Sequence, residues 1–420
     1  MQPWGNGEKE DEDGVRPSFL ERFFAKYEFT CEHMVSCSDC QAWTTKEVLA
    51  VADLECQQMW DSSALGYTES LGHPTLLEEI RKHYADRLGN PAQVPVQITT
   101  CVPVEGIFAA MTTLLSEGDR IVAMMPAYQA LYEIARSKRC HILPWVPHFD
   151  QKGFWEFKLS DLQSILDQNI TAQAPLKMLM INSPHNPTGA AFDQSQLDVV
   201  TELLSKLPQA EPPVLFSDEM YGEMIGSPAP SMVGKRNAVV LSGLSKPWGM
   251  PGLRMGWLLC SNKEHFDSIT SMRDYTTLCL PPHSEILSII TLRSPETFLS
   301  RNRGIAEKNY QLLQTVLESL PQWFHPLNQH QHNERLTKWR AAVVFARLRL
   351  PLGGLTGSAL PQLESASALA EFLAKEHSVC MVVSDFFEFD SFPCVRFGLG
   401  REGFPAALRQ LQRALEMIAA

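Results

Sequence analysis

The sequence predicts an α/β fold: a mostly parallel sheet sandwiched by helices, with a smaller α+β domain towards the C-terminus. Three observations carry this. Short apolar runs bounded by turn formers alternate with amphipathic helical stretches through the middle of the chain, the pattern of parallel strands joined by right-handed helical crossovers. At 420 residues the chain exceeds what one hydrophobic core supports, so a second domain is expected. Beyond Phe266 the alternation changes, first to long helical stretches and then to strands and helices in another order.

Taken in order, residues 1–14 are polar and acidic and form an expected disordered tail. Residues 15–50 are an N-terminal segment that packs on the small domain, 51–305 the large domain and 306–420 the small one. Phe19, Leu20, Phe23, Phe24 and Tyr27 recur at helical spacing within Pro17 to Phe29. A helix from Thr44 to Trp60 turns Val48, Leu49, Ala52 and Met59 inward, and another from Pro74 to Leu88 follows the loop Gly66 to Gly72. Helix Glu105–Leu115, strand Ile121–Met125, helix Tyr128–Arg136 and strand His141–Pro144 open the repeating part. Helix Leu159–Asp167, strand Lys177–Asn182, helix Gln194–Leu207 and strands Val214–Asp218 and Ala238–Leu241 continue it. Phe266 to Lys308 is helical with a break at Pro281-Pro282. The rest reads as strands Ala341–Leu350, Val379–Val383 and Pro393–Gly398 with helices Ala366–Lys375 and Pro405–Met417, and an exposed insertion from Gly353 to Ser367.

Composition excludes some functions. A net charge of −12 argues against nucleic acid or an anionic membrane as partner, since both are held by excess Lys and Arg. Ten cysteines without a repeating spacing, and no basic stretch followed by an apolar run at the start, point to reduced thiols and a cytoplasmic protein. Only Cys37-x-x-Cys40 has zinc-like spacing, and no second pair follows it.

In open α/β sheets ligands gather beyond the carboxyl ends of the strands. Three polar groups fall there in succession: Asn182 to Gly189 after one strand, Ser217 to Tyr221 after the next, Ser242 to Lys246 after the third. Singly they read as a turn, a helix cap and a solvated lysine; together they read as a site. A lysine amine becomes nucleophilic when its pKa falls from about 10.4, and it then forms an imine with an aldehyde. Arg254 offers a fork for a phosphate dianion. The pair therefore suggests a phosphorylated aldehyde, pyridoxal 5′-phosphate (PLP), with Lys246 as the catalytic residue. A buried carboxylate would keep its pyridine nitrogen protonated, and Asp218 is the candidate. Tyr221 and Asn186 could hydrogen-bond the phenolic oxygen, and Tyr128 could cover one ring face. Ser242 and Ser245 hydroxyls, Arg254 and backbone amides at Val104 and Glu105 would grip the phosphate.

From about Tyr27 to the C-terminus the chain resembles the fold-type-I, PLP-dependent aminotransferases of class I/II. Asn-Pro-x-Gly matches Asn186 to Gly189, Asp-x-x-Tyr matches Asp218 and Tyr221, and Ser-Lys followed by Pro-Gly-x-Arg-x-Gly-Trp matches Ser245 to Trp257. The resemblance implies a seven-stranded sheet in the large domain and transamination of an amino acid to its keto acid through an imine on Lys246. It also implies a homodimer in which Tyr67 reaches the phosphate of the neighbouring subunit. Arg396, in Val-Arg-Phe-Gly, would pair with the substrate α-carboxylate beside Asn186. The family's Gly-Ala-Gln type of phosphate turn is here Val102-Pro103-Val104, and Pro103 has no N–H to donate. Gly243 stands where many members have serine. Tyr27-Glu28-Phe29 and Val35-Ser36-Cys37-Ser38 resemble capreomycidine-synthase-like enzymes, which implies elimination and cyclisation as an alternative reaction.

Overall fold

A computed structural model describes residues 14–88, 96–150, 153–224, 230–327, 342–349 and 365–419. The acidic tail, apart from Gly14, and the insertion up to residue 364 lie outside the described residues. The centre is a seven-stranded sheet in the order Gln97–Cys101, Gly256–Cys260, Ala238–Gly243, Val214–Asp218, Leu176–Asn182, Arg120–Met124, His141–Trp145. Only Gly256–Cys260 runs antiparallel to its neighbours. Central strands such as Val214–Asp218 and Ala238–Gly243 are buried along their whole length, as a sheet covered on both faces requires. Parallel register sets Asn182 beside Asp218, and Asp218 beside Leu241, so three strands end at one level.

The helix Pro295–Ser319 leads from this sheet to a three-stranded antiparallel one, Val343–Arg347, Cys394–Gly398 and Val382–Val383 in that order. Helices Ala366–His377 and Phe404–Ala419 pack against it through residues such as Leu369, Leu373, Leu408 and Leu411, all buried.

Several elements differ from the sequence-based expectation. The helix expected from Thr44 to Trp60 is two, Thr45–Leu49 and Leu54–Asp61, because Asp53 leaves the helix and caps the second through Cys56 N–H at 2.8 Å. Gln97–Cys101 and Gly256–Cys260 are strands that the reading left out; the first is rich in polar residues, and the second opens on Gly256 within a stretch read for its motif. Val379–Val383 divides into Val379–Cys380, which pairs with His33–Met34, and Val382–Val383, which joins the three-stranded sheet.

One segment positions the site. After the helix Phe19–Tyr27, residues 33–41 run as a strap from the small sheet to the end of the large one. Gly398 N–H donates to Val35 O at 2.8 Å, Gln41 N–H to Gly400 O at 2.7 Å, and Cys40 N–H to Lys246 O at 3.2 Å. The strap lies so close to the small sheet that a Cβ on Gly398 would sit 1.6 Å from Cys37 O. Upstream, the Arg16 guanidinium bridges Glu133 of the large domain at 2.9 Å and Glu388 at 2.8 Å. Gly398→Ala should accordingly destabilise the protein by about 3 kcal/mol or more, since neither backbone can yield; urea unfolding with an unchanged midpoint would contradict this packing.

Candidate functional site

The strand ends bring Asn182, Asp218 and Ser242 together, and the loop after Ser242 carries Lys246. Asn182 acts as a brace: its Nδ2 donates to Asp218 O at 3.1 Å and its Oδ1 accepts Asn186 N–H at 2.7 Å. Asp218 is buried, with Oδ1 accepting Met220 N–H at 3.0 Å. Burial pushes its carboxyl up to about 6, although that hydrogen bond and the Lys246 charge pull the other way. An acid held in that state is stabilised by a proton or a cationic N–H placed against it.

Lys246 donates from Nζ to Ser38 Oγ at 2.9 Å, and Tyr221 OH donates to Ser38 O at 3.0 Å. Arg396 is 0% exposed yet has no acidic partner among the described residues. Its Nη1 donates to Asn186 Oδ1 at 3.2 Å and Nη2 to Ser36 O at 2.8 Å, while Nε finds no acceptor. Desolvation lowers its pKa from the usual value, the mark of a buried cation waiting for an anion.

The other expected ligands are placed as follows. Ser245 Oγ is buried without a hydrogen-bond partner, and Ser242 Oγ donates weakly to Glu219 O at 3.4 Å. Arg254 is exposed, with φ of 54° and Nη1 donating to Pro251 O at 2.9 Å. Pro103 is the first residue of the helix Pro103–Leu114, where its missing N–H would have been unpaired in any case. Val104 and Glu105 follow it, with N–H groups outside the helical ladder. The Glu105 side chain does not face a ligand: it accepts Val102 N–H at 3.2 Å and Thr277 N–H at 3.1 Å. Gly243 has its own explanation, because a Cβ there would lie 2.7 Å from Gly256 Cα. Tyr128 OH reaches Glu21 of the N-terminal helix at 3.1 Å, and burial and that carboxylate raise its pKa. Tyr67 is not brought to the site of its own chain; it is 89% exposed.

These residues fit the phosphorylated aldehyde expected from the sequence. The orphaned Ser245 hydroxyl, the free helix amides and Arg254 would hold its phosphate, Asp218 its ring nitrogen and Lys246 its aldehyde carbon. The sequence places Asn182 in a strand-end group and Ser36 and Ser38 in a resemblance, but gives none of the three its part as brace or strap. Asn182 closes an apolar run, a signal that was available; the strap bears on the site only through chain threading.

The model of the family described as "Aminotransferase class I and II" matches residues 40–409. Bovine tyrosine aminotransferase is 25% identical over 272 residues, covering 61% of this chain and 57% of that protein. Capreomycidine synthase of Streptomyces vinaceus is 26% identical over 313 residues, covering 73% of this chain and 70% of that one. The chain thus spans little more than half the length of the first relative. Among solved structures, a PLP-dependent aminotransferase from Streptococcus suis superposes with a TM-score of 0.78 at 22% identity, covering 96% of this chain and 98% of that one.

The Asp218 pKa yields a prediction. Its folded pKa of about 6 lies above the unfolded value of about 3.9, so its contribution favours folding below pH 4 and is lost as pH rises through 6. The wild-type apoprotein should gain about 2–3 kcal/mol relative to Asp218→Asn between pH 7 and pH 4. Parallel stability profiles in urea across that range would show that Asp218 is not held as described.

Proposed function

The chain belongs to the class I and II aminotransferases and is an enzyme that works with PLP, and from that premise we propose that it exchanges an amino group between an amino acid and a keto acid. The observation that carries this reading is the Arg396 guanidinium, fully buried beside Asn186 and lacking any acidic partner among the described residues. A planar fork in that setting selects a carboxylate, and its distance from solvent gives the selection weight.

PLP, when bound, supplies an electron sink for the electron pair left when the substrate Cα–H bond is broken. The chain supplies the rest. Arg396 and Asn186 orient the substrate by its α-carboxylate. Lys246 Nζ would take the proton from the substrate Cα and hold it for return, acting as general base and then acid. Asp218 would keep a proton on the ring nitrogen, and Tyr221, whose OH donates to Ser38 O in this structure, would turn that hydroxyl proton to the phenolic oxygen.

The enzyme works as a homodimer. Support comes from exposed apolar groups on adjoining loops, Leu65 at 88%, Tyr67 at 89% and Tyr275 at 89%, with Thr68 Oγ1 tying the first loop to Leu280 O at 2.9 Å. Tyr67 then completes the site of the partner subunit. All ten cysteines are free thiols, which supports a cytoplasmic setting. A second reading, elimination and cyclisation, is favoured by the 73% of this chain that aligns with capreomycidine synthase.

Mixing the holoprotein with a panel of amino acids separates the two readings. Transamination converts the cofactor to its amine form with release of a keto acid; elimination releases product while the cofactor keeps its aldehyde oxidation state. Arg396→Lys should lower kcat/KM for amino acids about 100-fold and leave the corresponding decarboxylated amines unaffected, because a bidentate fork becomes a point charge. Equal losses on both would refute the carboxylate clamp. For the dimer, Tyr67→Phe protomers mixed with Lys246→Ala protomers should give hybrids with one intact site and one carrying both lesions. Hybrids whose functional lysine site retains the Tyr67→Phe defect would place that tyrosine in its own subunit's site.

A further inference from the structure

The strap contributes one hydroxyl to the centre of the site that no part of the mechanism has used. We infer that Ser38 is a positioning residue for Lys246: its Oγ accepts from the lysine amine whenever that amine is not joined to the cofactor, and so keeps Nζ where the substrate Cα arrives. The inference rests on the function proposed for Lys246.

Geometry supports it from several directions. Nζ and Oγ are 2.9 Å apart, a full hydrogen bond between a half-buried amine and a half-buried hydroxyl. Without the cofactor the serine is held from a second side, since its own carbonyl accepts Tyr221 OH at 3.0 Å. Two residues on, Cys40 N–H holds Lys246 O at 3.2 Å, so the strap is pinned to the backbone of the residue whose side chain it receives. Two residues back, Ser36 Oγ donates to Arg396 O at 2.5 Å and accepts Val382 N–H at 2.9 Å, while Ser36 O accepts Arg396 Nη2 at 2.8 Å. The same short stretch therefore fixes the substrate-clamping arginine and the proton-moving lysine relative to each other. A free lysine on a flexible stem has many rotamers, and a misplacement of about 1 Å costs about 100-fold in rate. Ser38 removes that freedom without adding a charge.

Three proteins test this: wild type, Ser38→Ala and Ser38→Thr. In Ser38→Ala holoenzyme kcat should fall about 100-fold with KM within about twofold, because the substrate clamp is untouched and proton transfer is not. The kinetic isotope effect on kcat with Cα-deuterated substrate should rise, and Ser38→Thr should restore both. A second readout needs neither cofactor nor turnover: in the apoprotein, trace labelling with acetic anhydride followed by peptide mass spectrometry should modify Lys246 about three- to tenfold faster in Ser38→Ala than in wild type, since an acceptor for its N–H has gone. Ser38→Thr should label like wild type. Unchanged labelling in Ser38→Ala, or an unchanged kcat and isotope effect, would overturn the inference. If Ser38→Ala does not fold, the inference stands on Ser38→Thr alone, and a Ser38→Thr protein that folds but loses wild-type labelling and kcat overturns it. A protein that transaminates no amino acid yet shows the labelling change would instead defeat the functional reading and leave the Ser38–Lys246 contact in place.

Discussion

The close approach of the strap to the small sheet is the constraint on which the site depends. Gly398 and Gly400 have no Cβ, and only for that reason can Cys37 and Cys40 lie directly on them. Once there, the strap reaches both sheets. It takes one hydrogen bond from the Arg396 guanidinium at one end and gives one to the Lys246 carbonyl at the other, and the contacts between them place Ser38 against Nζ. Two elements distant in sequence, one bearing Arg396 and one the Lys246 amine, are held in a fixed relation by a third that belongs to neither.

Within that frame two charges are placed against ordinary solvation. Arg396 is a cation away from solvent and without an acidic partner among the described residues, and Asp218 an acid whose buried setting favours its protonated form. Either would be unfavourable in a merely structural core, where a buried charge is retained only when it is paired. Both become reasonable when a carboxylate meets the first and a protonated ring nitrogen the second. The two mismatches have opposite sign, which matches a ligand with an anionic end and a cationic ring atom. His185, buried beside Phe157 with its pKa pushed down to about 3, is by contrast neutral packing under the same turn.

Much of this was legible in the sequence because parallel sheets write their sites at strand ends. Apolar runs ending in Asn182, Asp218 and Ser242 gave both the sheet and the location of Lys246. What stayed hidden depends on contacts between distant segments. The strand Gln97–Cys101 is polar in sequence and becomes a strand by pairing with Gly256–Cys260. Pro103, an anomaly in a phosphate turn, is accommodated because Gly256 leaves room for its ring: a Cβ there would lie 2.8 Å from Pro103 Cγ. Ser36 and Ser38 stand out in the sequence only through the resemblance of Val35-Ser36-Cys37-Ser38; their contacts at the site follow from where the strap is threaded. Tyr67 marks the boundary of what one chain displays: it is 89% exposed, and the role proposed for it lies in a second subunit.

The central claim, that Lys246 is the residue to which the cofactor is joined, is tested most directly by borohydride reduction of the holoprotein followed by peptide mapping. The account predicts that the reduced pyridoxyl group is recovered on the peptide containing Lys246 and on no other lysine. Recovery on a different lysine, or a reduced protein whose cofactor dialyses away, would contradict it.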